Sequence, residues 1–354
     1  MLNAPRLLKY VRSSVGELAK NFDNEVIGGF FTSLLTEKFS SLALVCIFAV
    51  YTGGNGALPE GGSLAAARRI THKYLSLGGR VISGNAVKKV NVDNGTAFSI
   101  STVSGDVIEG DAFIVTADPK SFFGNVLDEE MPVALKSCYE NKNYYRFSCV
   151  QCAFSCNAYD IPFKGDYIFD LTDDEKKKLK SDYLILREFS HEPSFAPEGK
   201  TVLQTMCLAD EAECLRYIDL KRDEAAYEKR KKEVENAVIG ALLRKFPQFE
   251  GGIVTLDVWT PATYKEYTLS DIGSFMSFAF GGALPKKVSG RVTGVNNVFL
   301  ATQWQRAPGG LPIAAEAGRA SIDYIDIYFA KQARREQLRK LLRLPFMKKA
   351  AKQH

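Results

Sequence analysis

One stretch constrains the fold of this chain more than any other: Asn297-Val298-Phe299-Leu300-Ala301-Thr302-Gln303-Trp304-Gln305-Arg306-Ala307-Pro308-Gly309-Gly310-Leu311-Pro312-Ile313-Ala314. An apolar strand ends, a glycine turn follows, and a helix begins whose early part is small: Ala314, Ala315, Ala317, Gly318 and Ala320. Such a turn exposes backbone N–H groups at the positive end of a helix dipole. Its glycines let a flat ring or a phosphate approach the backbone. Small side chains permit close packing beneath a ligand. The same residues equally suit a helix that packs tightly on a sheet and binds nothing.

Elsewhere the pattern switches between helical and strand periods, so the expected class is α/β (α+β). Residues 1–50 read as helical, because Leu7, Leu8, Val11, Val15, Leu18 and Phe22 keep a period near 3.6. A second apolar helix is predicted over roughly residues 30–51. Ser63 is placed to cap a helix running to Tyr74 or Leu77, which Gly78-Gly79 ends. From 80 to 117 the period becomes two, with strands predicted at 80–82, 86–92, 97–102, 107–108 and 112–115. Asp93-Asn94-Gly95 and Ser104-Gly105-Asp106 supply hairpin turns. Residues 121–270 read as a separate unit with strands at 145–154, 183–189, 201–208 and 253–259. Between the last two, a charged helix spans residues 223–246, with Ala226, Val234, Ala237, Val238, Ala241 and Leu242 on its inner side, and Pro247 stops it. Asp173-Asp174-Glu175 and the three lysines after it suggest a loop entering a short, solvated helix.

Few residues offer acid–base chemistry. The three histidines, His72, His191 and His354, are isolated from one another, and no nucleophile elbow is present. This argues against hydrolysis but not against redox chemistry carried by a cofactor. Cys149, Cys152 and Cys156 invite a metal reading. In a strand, however, Cys149 and Cys152 face opposite sides, and Cys152 and Cys156 stand about 13 Å apart. They are expected to be small buried hydrophobes, and no metal site is predicted. Seven cysteines behind a start that lacks a secretory h-region suggest reduced thiols and a cytoplasmic location. The most apolar run, residues 42–50, is too short to span a bilayer as a helix.

Charge is concentrated at one end. The 46 Lys/Arg and 41 Asp/Glu give a net +5. Residues 331–354 hold nine Lys/Arg and one acid, a net +8, which leaves −3 for the other 330 residues. A near-neutral body argues against a nucleic-acid partner. The tail reads as helical over residues 331–344. Leu338, Leu341 and Leu342 lie near one face, Arg334, Arg335, Arg339, Lys340 and Arg343 surround it, and Phe346 and Met347 extend the apolar part. A basic amphipathic helix of this kind suits peripheral contact with an anionic membrane, and it also suits a solvated terminal tail.

Gln303-Trp304, the run from Pro308 to Ala314, and Gly318-Arg319 resemble the C-terminal flavin signature of the phytoene desaturase/carotenoid isomerase-like NAD(P)/FAD-dependent oxidoreductases. That group lies within the amine-oxidase-like flavoproteins. A second match joins Leu58-Pro59-Glu60-Gly61-Gly62-Ser63, a helix, Leu77-Gly78-Gly79-Arg80-Val81, Val87-Lys88-Lys89-Val90 and the strand ending Ile114-Val115-Thr116-Ala117-Asp118-Pro119. A third is Trp259-Thr260-Pro261-Ala262-Thr263 with Gly273-Ser274-Phe275. Their order fits the family from near residue 5 to residue 330.

The resemblance implies bound FAD and an FAD-dependent oxidoreductase. Backbone groups of Val87 would meet the adenine. Gln303 and Trp304 would lie beside the ribityl–pyrophosphate and flavin, with Asp118 as a further cofactor contact. Gly309, Gly310, Leu311 and Pro312 would present a helix N-terminus to the pyrimidine edge of the ring. No catalytic side chain is singled out. The implied substrate is an apolar small molecule, a polyene or related lipid, passing hydride to the flavin. The expected architecture is an incomplete FAD-binding domain with an interleaved substrate domain of mixed sheet and helices. Residues 1–57 would be the helical part of the substrate domain and 58–120 an FAD-domain helix plus β-meander. Residues 121–270 would be the substrate domain proper, 271–330 the C-terminal FAD-domain segment and 331–354 the basic tail.

Two departures stand out. The family opens with a strand, Gly-x-Gly-x-x-Gly and a helix that hold the ADP pyrophosphate. Gly54-Asn55-Gly56-Ala57-Leu58-Pro59 is no such fingerprint, since the third glycine and a preceding strand are missing. Thr302 stands where the family usually has glycine. The chain is therefore expected to start inside the family's pattern, as a fragment, as the product of a split or frame-shifted gene, or as a protein that needs a separate N-terminal dinucleotide-binding subunit. The alternative is a non-catalytic fragment or partner-dependent subunit without FAD. An amine oxidase-type enzyme is a third reading, resting on shared fold class alone.

Overall fold

The computed structural model describes residues 9–281 and 287–350, with side chains through Lys340. Twelve strands occur among them: β1 Val87–Asp93, β2 Thr96–Thr102, β3 Val107–Glu109, β4 Phe113–Val115, β5 Tyr144–Tyr145, β6 Phe147–Asn157, β7 Asp166–Asp170, β8 Tyr183–Glu188, β9 Lys200–Asp210, β10 Val254–Trp259, β11 Ala279–Phe280 and β12 Val298–Leu300. The chain divides into two units, residues 1–83 with 141–285 and residues 84–140 with 286–354. The mixed α/β class is as expected, and the helix Gly62–Ser76 belongs to the first unit.

Period-two alternation builds the first unit's main sheet, ordered β10-β6-β9-β8-β7 and antiparallel throughout. β6 and β9 pair without a slip from Phe147↔Asp210 to Asn157↔Lys200. Cys152, Phe154 and Cys156 alternate inward and meet Leu184, Leu186 and Leu203. The helix Glu224–Lys245 closes this core with Tyr227, Val234, Val238, Ala241 and Leu242. Each aliphatic side chain buried this way contributes about 1.5–3 kcal/mol. β7 is missing from the sequence expectation, because five residues with an aspartate at each end carry too little periodicity to register.

Three local expectations are corrected here. The apolar helix of residues 30–51 is two helices, Glu25–Leu34 and Ser41–Thr52. Leu35 turns extended, the Ser40 N–H donates to the Phe280 carbonyl at 2.7 Å, and the Ser40 hydroxyl accepts from the Leu42 N–H as a new N-cap. Hydrophobic pattern alone does not reveal that break. Ser63 lies inside its helix rather than capping it. Gly61 takes the cap position at φ +71, and its N–H donates to the Glu192 carboxylate at 2.8 Å. Residues 80–82 are not a strand. Leu7 and Leu8 lie outside the described residues.

In the second unit, β1, β2 and β3 form an antiparallel meander. Asn94 and Gly95 join β1 to β2 at φ +47 and +70, the paired positive dihedrals of a type I′ hairpin. β4 and β12 pair in parallel, Val298↔Phe113 through Leu300↔Val115. Asn297, almost fully buried, locks β12 to the meander. Its Oδ1 accepts the Ala97 N–H at 2.8 Å, and its Nδ2 donates to the carbonyls of Ala97 (2.7 Å) and Asp111 (2.9 Å). The helix Leu311–Ala350 rests on β12, with Phe299 stacked on Tyr324 at 6.3 Å and edge-on to Tyr328. The expected tail helix is part of it, exposed from Lys331 to Lys340. The side chains of Leu341, Leu342, Arg343, Phe346 and Met347 lie outside the described residues.

Candidate cofactor site

All eight residues expected to meet a cofactor fall in the second unit. Because β4 and β12 are parallel, their carboxyl ends emerge together, the end where ligands of open parallel sheets bind. The Ala301 N–H donates to the Val115 carbonyl at 2.8 Å as the strands finish. Asp118 and Gln303 each follow three residues after that last pair, Val115 and Leu300.

Both segments are held by their own side chains. The buried Asp118 carboxylate caps the short helix Pro119–Phe122 by accepting the Lys120 N–H at 2.8 Å. After β12, Gln303–Gln305 form a 3-10 turn closed by a capping box. The Thr302 N–H donates to Gln305 Oε1 at 2.9 Å, and the Thr302 hydroxyl accepts from the Trp304 N–H. That explains the threonine where a glycine is usual: its hydroxyl is the cap.

The glycine turn is pinned next. Gln303 Oε1 accepts the Gly310 N–H at 2.8 Å. Gly309 and Gly310 sit at φ +80 and +83, where a side chain is strained. A Cβ on Gly310 would meet nothing nearer than Pro312 Cδ, at 3.9 Å. The glycine is there for its backbone angle, and the space beside it is open. Leu311 is 85% exposed. A helix leaves its first-turn N–H groups without carbonyl partners inside the helix. In this helix Leu311 and Ile313 carry them, since Pro312 has no N–H.

Trp304 lies deeper than a ligand-facing ring would. It is 4% exposed and stacks on Tyr139 at 5.6 Å, and the Lys120 ammonium sits 5.2 Å from the Tyr139 ring. Tyr139 and Lys120 are thus part of the site's backing. Sequence reasoning missed them because the helix Val133–Glu140 carries no marker of that contact. Val87 stands apart as the first residue of β1, opposite Thr102 and partly exposed. Near the turn, Glu316 pairs with Lys287 and Arg306. The hydrogen bond and charge of Lys287, followed by the charge of Arg306, hold its carboxyl below the usual range.

In the first unit, burial pushes Cys149 and Cys152 up to about 12 and Cys156 to about 11. Cys149 donates to the Tyr264 hydroxyl at 3.6 Å. These thiols are core atoms of β6.

The outward-opening helix N-terminus, the strain-free glycine turn and the buried backing fit the ring end of a flavin. The 354 residues hold no Gly-x-Gly-x-x-Gly for the pyrophosphate end. Comparison with known proteins agrees on the class. Residues 4–324 match the family described as flavin containing amine oxidoreductase. A chloroplastic prolycopene isomerase of Daucus carota is 25% identical over 294 residues, 76% of this chain and 45% of its own length. The chain therefore spans less than half of that relative. Among solved structures, PF1083 protein from Pyrococcus furiosus aligns with a TM-score of 0.55 at 14% identity, over 90% of this chain and 71% of its own. Cyclohexylamine oxidase from Brevibacterium oxydans aligns at 0.50 and 12%, over 92% and 70%. At those identities the likeness is one of fold.

Proposed function

Because the chain belongs to the flavin-containing amine oxidoreductase family, we propose that it supplies the ring-binding half of an FAD-dependent oxidoreductase acting on an apolar, polyene- or lipid-like substrate. The observation that carries this reading is the delivery of Asp118, Gln303 and the glycine turn by one parallel pair, β4 and β12. The likeness to a prolycopene isomerase supports the substrate class.

The chemistry supplied with FAD bound is hydride exchange between the substrate and the flavin ring. The chain's own residues bind and orient. The N–H groups of Leu311 and Ile313 would face the pyrimidine edge of a bound flavin, and the helix N-terminus would add about half a positive charge there. Gly309, Gly310 and Pro312 shape the approach. Gln303 spends its carbonyl on Gly310 and keeps its amide N–H groups for the cofactor. Asp118 would border the cofactor, Trp304 would stiffen the wall behind it, and the Val87 backbone would receive the adenine.

The pyrophosphate fingerprint has to come from residues outside these 354, in a preceding part of the polypeptide or in a separate subunit. β4 supports this. Phe113 and Val115 bond to β12, so the N–H and C=O of Ile114 point to the opposite edge. No described strand pairs there. Parallel sheets are normally larger and covered on both faces, and a further parallel strand would complete this one. No helix among the described residues is long and apolar enough to cross a membrane.

The test is the visible spectrum of the purified chain with FAD, alone and mixed with a separately produced strand–Gly-x-Gly-x-x-Gly–helix segment. Flavin absorbance that co-elutes with the chain is the expected result. A chain that stays colourless in both mixtures, with no rise in melting temperature, would sink this reading in favour of a cofactor-free, partner-dependent subunit.

A further inference from the structure

A cavity of about 340 Å³ lies in the second unit, away from the glycine turn and the residues that shape it. Tyr324, Tyr328, Lys331 and Arg335 line it from the helix, and Arg291 and Asn296 line it from the loop before β12. The helix positions follow steps of four, three and four residues, which place all four side chains on one face.

Three of these side chains are cations, and none of the three forms an ion pair with a carboxylate among the described residues. Arg291 is held in place. Its guanidinium lies 5.0 Å from the centre of the Tyr324 ring, and Phe299 stacks against the same ring. A planar guanidinium fixed on an aromatic face keeps its N–H fork for an oxyanion. Glu129 is the nearby acid to consider: its Oε2 lies 2.6 Å from where a Cβ on Gly294 would be, but Glu129 does not line the cavity.

We propose that this cavity binds a phosphoryl anion, with Arg291, Lys331 and Arg335 as its ligands and Asn296 and the two tyrosine hydroxyls as neutral donors. Its volume is at the small end of ligand sites, which run from about 300 to 1,000 Å³. It therefore takes a headgroup or a phosphate ester and not a dinucleotide. The same phosphoryl chemistry is found in an anionic lipid and in a soluble ester. The helix from Lys331 to Lys340, exposed along its length and carrying five Lys/Arg and one Glu, would lie against the surface around a lipid headgroup. The proposal uses none of the flavin-site residues, so it stands or falls separately.

The experiment uses the 354-residue chain with vesicles of phosphatidylcholine, with and without phosphatidic acid, and in a parallel arm with glycerol phosphate monitored by titration calorimetry. Two triple variants are compared: Arg291→Gln/Lys331→Gln/Arg335→Gln within the cavity and Arg334→Gln/Arg339→Gln/Lys340→Gln beside it. Circular dichroism confirms equal folding. Binding to phosphatidic acid vesicles that falls roughly tenfold in the cavity variant, and much less in the control, assigns the site to lipid. Binding of glycerol phosphate with the same pattern, and none to vesicles, assigns it to a soluble ester. Equal losses in both variants, or no binding in either arm, overturn the proposal.

Discussion

Replacing Asn297 by alanine should cost the second unit about 3–5 kcal/mol. The side chain satisfies three backbone groups: the Ala97 N–H, the Ala97 carbonyl and the Asp111 carbonyl. The first two are buried with Ala97, while Asp111 is exposed. Stranding a buried polar group costs about 1–3 kcal/mol, whereas an exposed carbonyl recovers water. Two buried groups plus the cavity left by the amide give the range, a large share of a typical total of about 5–15 kcal/mol. Asn297→Asp separates hydrogen bonding from volume. It keeps the acceptor for Ala97 but sets a carboxylate oxygen against two carbonyls. Burial and those carbonyls raise the folded-state pKa of the new acid above its unfolded value near 3.9. Its penalty is therefore smallest below that pH and grows as pH rises through the folded pKa. Urea unfolding in a Trp259→Phe background reports the second unit, since Trp304 is then the only tryptophan. A loss under about 1 kcal/mol for Asn297→Ala, or an Asn297→Asp variant as stable as the parent at neutral pH, would refute the reasoning.

Other outcomes follow from glycine geometry and thiol burial. Gly310→Ala should cost about 1–2 kcal/mol through its dihedral alone, a few degrees of melting temperature, and should leave a folded protein. Gly273→Ala should fail to give soluble protein, because its Cβ would sit 1.8 Å from the Pro261 carbonyl oxygen; a normal melting curve would contradict this. Cys46 is exposed while the other six cysteines are buried. One thiol should react rapidly with a thiol reagent at mildly alkaline pH, and Cys46→Ser should remove that phase. Burial holds Cys152, Cys207 and Cys214 near 12, against about 8.5 when unfolded. The unfolded thiols ionise first, so their contribution to stability is complete below about pH 8.5 and is lost as pH rises toward the folded values. Melting temperature followed from pH 8 upward to about 11 should fall, and a flat profile would show the thiols to be solvated.

What the sequence made legible was local. The strand, glycine turn and helix from Val298 onward form as read, since each step is written in neighbouring residues: β-branched and aromatic side chains, then two glycines, then small helix formers. Asn94-Gly95 announced its hairpin for the same reason. Contacts between distant segments left no such trace. The pairing of Val115 with Leu300 joins strands of three residues each, too short to reveal a partner by pattern. The Tyr139–Trp304 stack joins a short helix to a turn, and nothing near Tyr139 in sequence marks it. The split at Leu35 went unseen because Ser40 looks like any serine until the Phe280 carbonyl is beside it. Among the candidate site residues, the glycine turn was visible as backbone geometry. The service Thr302 and Gln303 render by capping and pinning appears only in three dimensions.

Among the described residues no strand pairs with the outer edge of β4, and that edge sets terms for any strand that would join it. Three residues offer a newcomer only the Ile114 N–H and carbonyl, plus a half-exposed isoleucine side chain. So short an edge is a poor template for stray strands, which protects the chain from self-templating in the way natural edge strands do. It is equally too short to hold a correct strand unaided. A strand added there would have to come with its own packing surface, a helix or a second strand, and be held by covered apolar area rather than by backbone pairing.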